Sequence, residues 1–275
     1  MVYMRKNNSS NPKERRAFLG LVGGAGLLGV AGYFGMERTG YFDENNDLVK
    51  YDVEETPISS FDHFWDFSAE DPLDDKIGEA HLEVASNEVE VGTNGIFEDD
   101  AITVDEDGYV RHKNEGLTVD VTGSFSMGAW LNHEETGDYS AAMLLINEEE
   151  DEALGIGPNS GSDGDDQPLP KVLSVANTAG SGDTFYEYGD WHFHVLRYDV
   201  DENEAELYFD GEFEYSVEPD DGRDWIPDLD AIVLGFRPVG SSDYHYLGRI
   251  AYPWVADGLI SESTIQTLLE DAGRN

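Results

Sequence analysis

Between Ala205 and Val217 the chain reads AELYFDGEFEYSV, and this stretch limits the available folds more than any other. Ala205, Leu207 and Phe209 alternate with other residues, Asp210-Gly211 interrupts them, and Phe213, Tyr215 and Val217 resume the alternation. Successive side chains of a strand point to opposite faces. Asp-Gly readily takes the positive φ values of a two-residue hairpin turn. The stretch is therefore predicted to be an antiparallel hairpin with one apolar face, which must be buried against further strands.

The same period recurs. In SFSMGAWL, Phe125, Met127, Ala129 and Leu131 share one face, and Ser124, Ser126, Gly128 and Trp130 the other. Short alternating segments broken by Gly, Asp and Asn run from about Ser59 onward, with no fixed repeat. One all-β, two-sheet antiparallel sandwich is the predicted architecture. The exception is LISESTIQTLLEDAGR, where Ser261 as N-cap, an Ile265–Leu268–Leu269 stripe and Gly273 as stop predict one short C-terminal helix.

Charge bears on the habitat. Of 59 acids and 16 Lys plus Arg, two acids and six bases fall in residues 1–38, leaving 57 acids and 10 bases from residue 39 onward. Such self-repulsion is tolerated where concentrated salt screens it to within about 3 Å at 1 M. Disorder does not fit, since 39% of residues are hydrophobic and they alternate. The expectation is a folded protein of a halophile, of haloarchaeal composition, and not a nucleic-acid binder, which needs basic patches. The chain has no cysteine, which excludes disulfides, thiolate metal sites and cysteine nucleophiles.

The N-terminus reads as an address. Residues 1–16 are a basic, inner N-region, 17–36 are apolar and glycine-rich, and 37–58 form a polar linker to a domain over 59–275. RRAFL, with Arg15 and Arg16, resembles the twin-arginine export motif, although Glu14 replaces its usual Ser or Thr. The apolar helix expected at 17–36 is just long enough to span about 30 Å of bilayer, so a removed signal and a retained anchor both stay open. Positive charge before it and negative charge after it place the domain outside the cell or at its surface.

Taken in order, GSFSMGAWLN, GDWHFHVLRYD, AELYFDGEF and LGRIAYPWVADGLISESTIQTLL resemble the LamG-like, concanavalin A-like lectin and glucanase domains. FDHFWDFSAED fits their opening strand. The resemblance covers roughly residues 59–272. It implies a jelly roll, often calcium-stabilised, that commonly binds carbohydrate or protein partners, with some glycosidases among its relatives. Asp74 or Asp75 in PLDDKIGE falls where the family often has a calcium ligand, while Ala251 and Tyr252 replace the acids of its second ligand region.

His192 and His194 share one strand face. Zinc would need a third or fourth ligand, from His133 or His245 for instance, so a structural role is the preferred reading. DVDENE at 199–204 lacks the Gly and Glu of a calcium-binding helix–loop–helix and reads as a hairpin loop. No E-x-D-x-E spacing, G-x-S-x-G elbow or phosphate loop is present, so catalysis is not expected. Trp130 and Trp191 read as core. Trp225, Tyr186 and Tyr244 are the loop aromatics that could stack on a sugar, with local packing the commoner role of such rings. Two functions follow: a lectin-like module recognising carbohydrate or a surface partner, or a structural or adhesion protein of a cell envelope or virion with no small ligand.

Overall fold

The computed structural model describes residues 61–67, 70–86, 89–92, 95–96, 101–105, 108–112, 121–135, 140–147, 152–160, 167–174, 178–218, 229–239 and 242–273. Residues 1–16, 17–36 and 37–58, with Arg15 and Arg16, lie outside these, as does Trp225. Among the described residues no helix is long and apolar enough to cross a membrane.

The first strands are β1 (His63–Phe64), β2 (Leu82–Val84), β3 (Val89–Val91), β4 (Ala101–Val104), β5 (Val110–His112) and β6 (Phe125–Glu135). Next come β7 (Met143–Ile146), β8 (Ala153–Ser160), β9 (Pro168–Ser174), β10 (Thr178–Ser181), β11 (Trp191–Asp199) and β12 (Glu204–Phe209). The last are β13 (Glu212–Val217), β14 (Ala231–Leu234), β15 (Phe236–Val239), β16 (Ser242–His245) and β17 (Leu247–Asp257), followed by helix α1 (Glu262–Gly273).

One sheet runs β13-β12-β11-β6-β17-β4-β3, with β1 also paired to β17, and the other runs β10-β9-β8-β7-β14-β5-β2. Every pairing is antiparallel. The expected faces of β6 hold. Phe125, Met127, Ala129 and Leu131 join Leu196, Leu207 and Ile250 in the core between the sheets, where they meet Leu145, Ile156, Val172 and Ile232. Each such buried side chain contributes about 1.5–3 kcal/mol.

The first sheet is covered on its outer face too. Trp130, Phe193, Val195, Tyr208 and Trp254 pack there against Ile265, Leu268 and Leu269 of α1, and against Phe61 and Phe64. Ser261 caps the helix, its hydroxyl accepting from the Thr264 amide at 3.1 Å. Gln266 donates to the Gly211 carbonyl, tying the helix to the β12–β13 turn.

That turn has the expected form, with φ of 49° at Asp210 and 78° at Gly211. The second strand of the hairpin departs from simple alternation. Leu207 pairs with Tyr215 and Tyr208 with Phe213, so Glu214 is an extra, bulged residue. Tyr215 keeps to the core side, where its hydroxyl meets the Val172 amide and the Gly180 carbonyl. Phe213 switches to the face of Tyr208 and is 48% exposed. The acidic DVDENE is a turn between β11 and β12, with Asn203 at φ 49°. GPNSGSDGDDQPLP is less of a loop than its composition suggests, because residues 157–160 and 168–170 belong to β8 and β9.

Candidate functional site

After β10 the chain crosses one end of the sandwich as Gly182–Asp190, and backbone bonds strap it to both sheets. The amides of Gly182 and Tyr186 donate to the carbonyls of Pro170 and Pro168 in β9, at 2.8 and 3.2 Å. The Gly189 amide donates to the His133 carbonyl in β6 at 2.6 Å, and Asn132 donates its side-chain amide to the Gly189 carbonyl. The bulged Glu214 accepts from the amides of Asp183 and Thr184 at 2.8 Å and from the Thr184 hydroxyl at 2.9 Å. Gly189 has φ of 86°, a conformation L side chains resist, where the loop turns into β11.

Tyr186 is the plug of this loop. Its ring is 5% exposed and lies 4.7 Å from the His192 ring, 5.3 Å from His133, 5.1 Å from Phe209 and 6.0 Å from His194 between centroids. A hydrogen bond joins its hydroxyl to His133 Nδ1. This corrects the expectation of a surface ring: Tyr186 is a packing anchor, because the odd position in TFYEYG that turns inward is the one facing the strand ends. Burial pushes the Tyr186 hydroxyl well above its ordinary range, and neighbouring Tyr246, Tyr188 and Asp210 add to this.

The two histidines of β11 do share a face, and it is the inner one. His194 and His133 are fully buried, while His192 sits at the rim with Nδ1 2.9 Å from the Asp210 carboxylate. Burial holds His133 well below the usual imidazole range, with His192 adding to it, and holds His194 down likewise, with His133 and His192 adding. The two rings pack edge to face, with centroids 5.8 Å apart. Among the described residues no group of three His, Asp or Glu side chains could hold a metal ion.

The loop's outward side carries aromatics that strand alternation hid. Phe185 is 44% exposed, and Tyr188 and Trp191 are half-buried. Trp191, read from the sequence as core, is so in part: at the first residue of β11 it packs half-buried against the outer cluster of Trp130 and Phe193. The Arg249 guanidinium lies 5.9 Å from the Trp191 ring, donates to Asn132 Oδ1 at 3.1 Å, and pairs with Glu134 at 3.5 Å. An apolar ring beside a polar fork that can both donate and accept suits a surface carrying hydroxyls. The aromatic spacing at residues 185, 186, 188 and 191 was the available signal.

Of the remaining nominated residues, Tyr244 lies in β16 opposite Arg237, and its side chain is not among those described. Asp74 is exposed and 3.3 Å from His81. Asp75 is buried, and its carboxylate accepts from the amides of Phe64, Ile77, Gly78 and Ala80 and meets His63 Nδ1. A cation at Asp75 would have to displace those donors, so its geometry is that of a backbone cap.

Two antiparallel sheets, a closing long strand and a terminal helix on the outer face define a jelly-roll sandwich of the lectin and glucanase class. Residues 104–266 match the model of the Laminin_G_3 family of the concanavalin A-like lectin/glucanases superfamily, and the chain belongs to that family. No curated protein sequence gives a significant match. Among solved structures, the fold is similar to domain 4 of AbnA, a GH43 extracellular arabinanase from Geobacillus stearothermophilus, in complex with arabinotriose. That likeness has TM-score 0.53 and 13% identity over 78% of this chain and 98% of the other. It is also similar to Trypanosoma rangeli sialidase in complex with sialic acid (TM-score 0.57, 14% identity, 78% of this chain and 33% of that one). A third likeness is to the receptor binding domain of botulinum neurotoxin D (TM-score 0.53, 15% identity, 77% and 52%). The chain thus spans about a third of the sialidase and half of the toxin chain.

Proposed function

We propose that this protein is an exported, salt-adapted lectin-like module whose Gly182–Asp190 rim recognises carbohydrate or a glycan-bearing surface partner. The observation that carries the reading is the division of labour within one loop. Tyr186 and seven strapping bonds hold the backbone still, while Phe185 is exposed, Tyr188 is half-buried and the half-buried Trp191 follows at the start of β11. A pre-ordered loop loses little conformational freedom on binding. Similarity to an arabinanase domain solved with arabinotriose and to a sialidase solved with sialic acid supports a sugar as ligand. Binding is favoured over hydrolysis because the chain lacks the paired-carboxylate spacing of the jelly-roll glucanases.

The test is a glycan array probed with the full chain in about 3 M KCl, where the charge is screened. Phe185→Ala should weaken the strongest hit about fivefold, which corresponds to about 1 kcal/mol of lost stacking. Its melting temperature should barely move, because an exposed ring contributes little to folding. Trp225→Ala is the parallel variant for the second nominated loop. An array without hits, or Phe185→Ala binding as tightly as the parent, would turn the assignment toward the envelope or virion scaffold.

A further inference from the structure

Beneath the rim lies a group of ring nitrogens that find no hydrogen-bond partner among the described residues. His133 Nε2, His192 Nε2 and both nitrogens of His194 are buried without a hydrogen bond. A buried polar atom left unpaired is costly, and natural cores rarely keep one without a use. Here three such residues gather beneath one loop, and the plug Tyr186 touches all three.

We propose that His133 and His194, with His192 at their outer edge, form a proton-operated latch: neutral imidazoles hold the Gly182–Asp190 loop shut, and acid releases it. In the closed loop an imidazolium at either inner position would be buried among rings. The surrounding groups are Tyr186 and Tyr188 of the loop, His192 and His194 of β11, Phe209 and Asp210 at the β12 turn, and Tyr246 ahead of β17. Arg249 and Glu134 stand beyond Tyr246. Only Asp210 of these acids reaches a histidine, and it is the rim one, His192. Among the described residues the inner pair therefore has no carboxylate to hold a proton against. Burial already holds both rings below the usual imidazole range.

The direction follows from linkage. A ring kept neutral in the closed loop and free to ionise in the open one stabilises closure fully above about pH 6.5, and that stabilisation falls as pH drops below it. Each such histidine raises the open population up to about tenfold per pH unit, or about thirtyfold between pH 7.5 and 5. Opening would withdraw Tyr186 and with it Phe185 and Tyr188, so the module would hold a ligand at neutral pH and let go in acid. That consequence rests on the proposed function, whereas the latch itself does not.

The test needs no ligand. Amide hydrogen exchange of the full chain in about 3 M KCl, corrected for intrinsic rates, compares peptides covering 182–190 with β6 peptides between about pH 7.5 and pH 5. Loop exchange should rise at least about thirtyfold more than that of β6. His194→Phe, which removes two unpartnered nitrogens and keeps a ring, should cut that rise about tenfold or more, and His194→Leu should do the same. Equal rises in loop and β6 would mean whole-domain unfolding and overturn the latch. So would a loop that stays protected to pH 5, or a full acid response in both variants. Should neither variant fold, the parent comparison alone decides between these outcomes.

Discussion

Gly128 and Trp254 face each other across β6 and β17 with no room for a β-carbon. A Cβ on Gly128 would stand 2.6 Å from the indole Cζ2 and 2.9 Å from the His194 carbonyl oxygen. The closeness follows from a bulge: Ala251 pairs with Trp130 and Trp254 with Gly128, so Tyr252 and Pro253 together oppose the single Ala129, with Tyr252 at φ 48°. Pro253 has no N–H to give to a ladder, so a bulge suits it. The indole's other neighbour is Phe61, stacked at 4.4 Å. Opening segment, bulge and glycine thus form one packed unit.

Gly128→Val should therefore overpack this unit and lower stability by about 2–3 kcal/mol. Urea unfolding in high salt measures it. Gly123→Ala is the control, since a β-carbon there meets nothing within 4 Å, and it should change stability by less than about 0.5 kcal/mol. Equal effects of the two substitutions would show that the Trp254 contact is unimportant.

Asp75 gives a prediction with a pH sign. Burial alone would raise its carboxyl, but hydrogen bonding to His63 and to the amides of Phe64, Gly78 and Ile77 outweighs that and holds it below 3.8. A carboxylate lowered on folding stabilises the fold above its unfolded value and stops doing so as pH falls through the folded one. Asp75→Ala should cost about 3 kcal/mol near neutrality, since four amides, two of them buried, lose a charged acceptor. The gap between parent and variant should narrow as pH falls through the lowered folded-state value, with Asp75→Asn in between. A gap that stays constant from pH 6 to pH 2 would mean the charge is not what matters.

The sandwich was legible in the sequence wherever one residue decided one geometry. Asp210-Gly211 specified a turn, the β6 alternation specified faces, and Ser261 specified a helix start. The rim was not legible for a reason of the same kind. Trp191 obeys the β11 alternation, yet its partial exposure depends on where the cover of Phe61, Phe64 and α1 ends, a property of distant residues. Tyr186 and Phe185 are adjacent in sequence and opposite in environment, because the loop's path is set by the carbonyls of Pro168, Pro170 and His133. Glu214 reads as one solvated acid among many until the bulge aims it at two amides.

Export rests on Arg15 and Arg16. Replacing both with Lys keeps the charge before the apolar stretch and so keeps orientation by charge, while removing the pair that twin-arginine export reads. The variant should accumulate inside the cell, as fractionation of parent and variant would show. Surface accumulation equal to the parent would point to a different export route or to a plain membrane anchor.

Salt dependence follows from 57 acids and 10 bases after residue 38. The fold gathers these charges around a small volume, whereas the unfolded chain spreads them, so repulsion opposes folding at low ionic strength. Screening shortens its reach from about 10 Å at 0.1 M to about 3 Å at 1 M, less than the spacing of most surface charges. Hydrophobic burial does not weaken over the same range, and strongly hydrated salts reinforce it. The melting temperature should therefore climb steeply between about 0.1 and 1 M KCl and more gently beyond, the first part by screening. Potassium sulfate should exceed potassium chloride at matched ionic strength only in the second part, where exclusion from the surface takes over. A melting temperature flat from about 0.1 to 3 M would show that repulsion among these acids does not limit the fold.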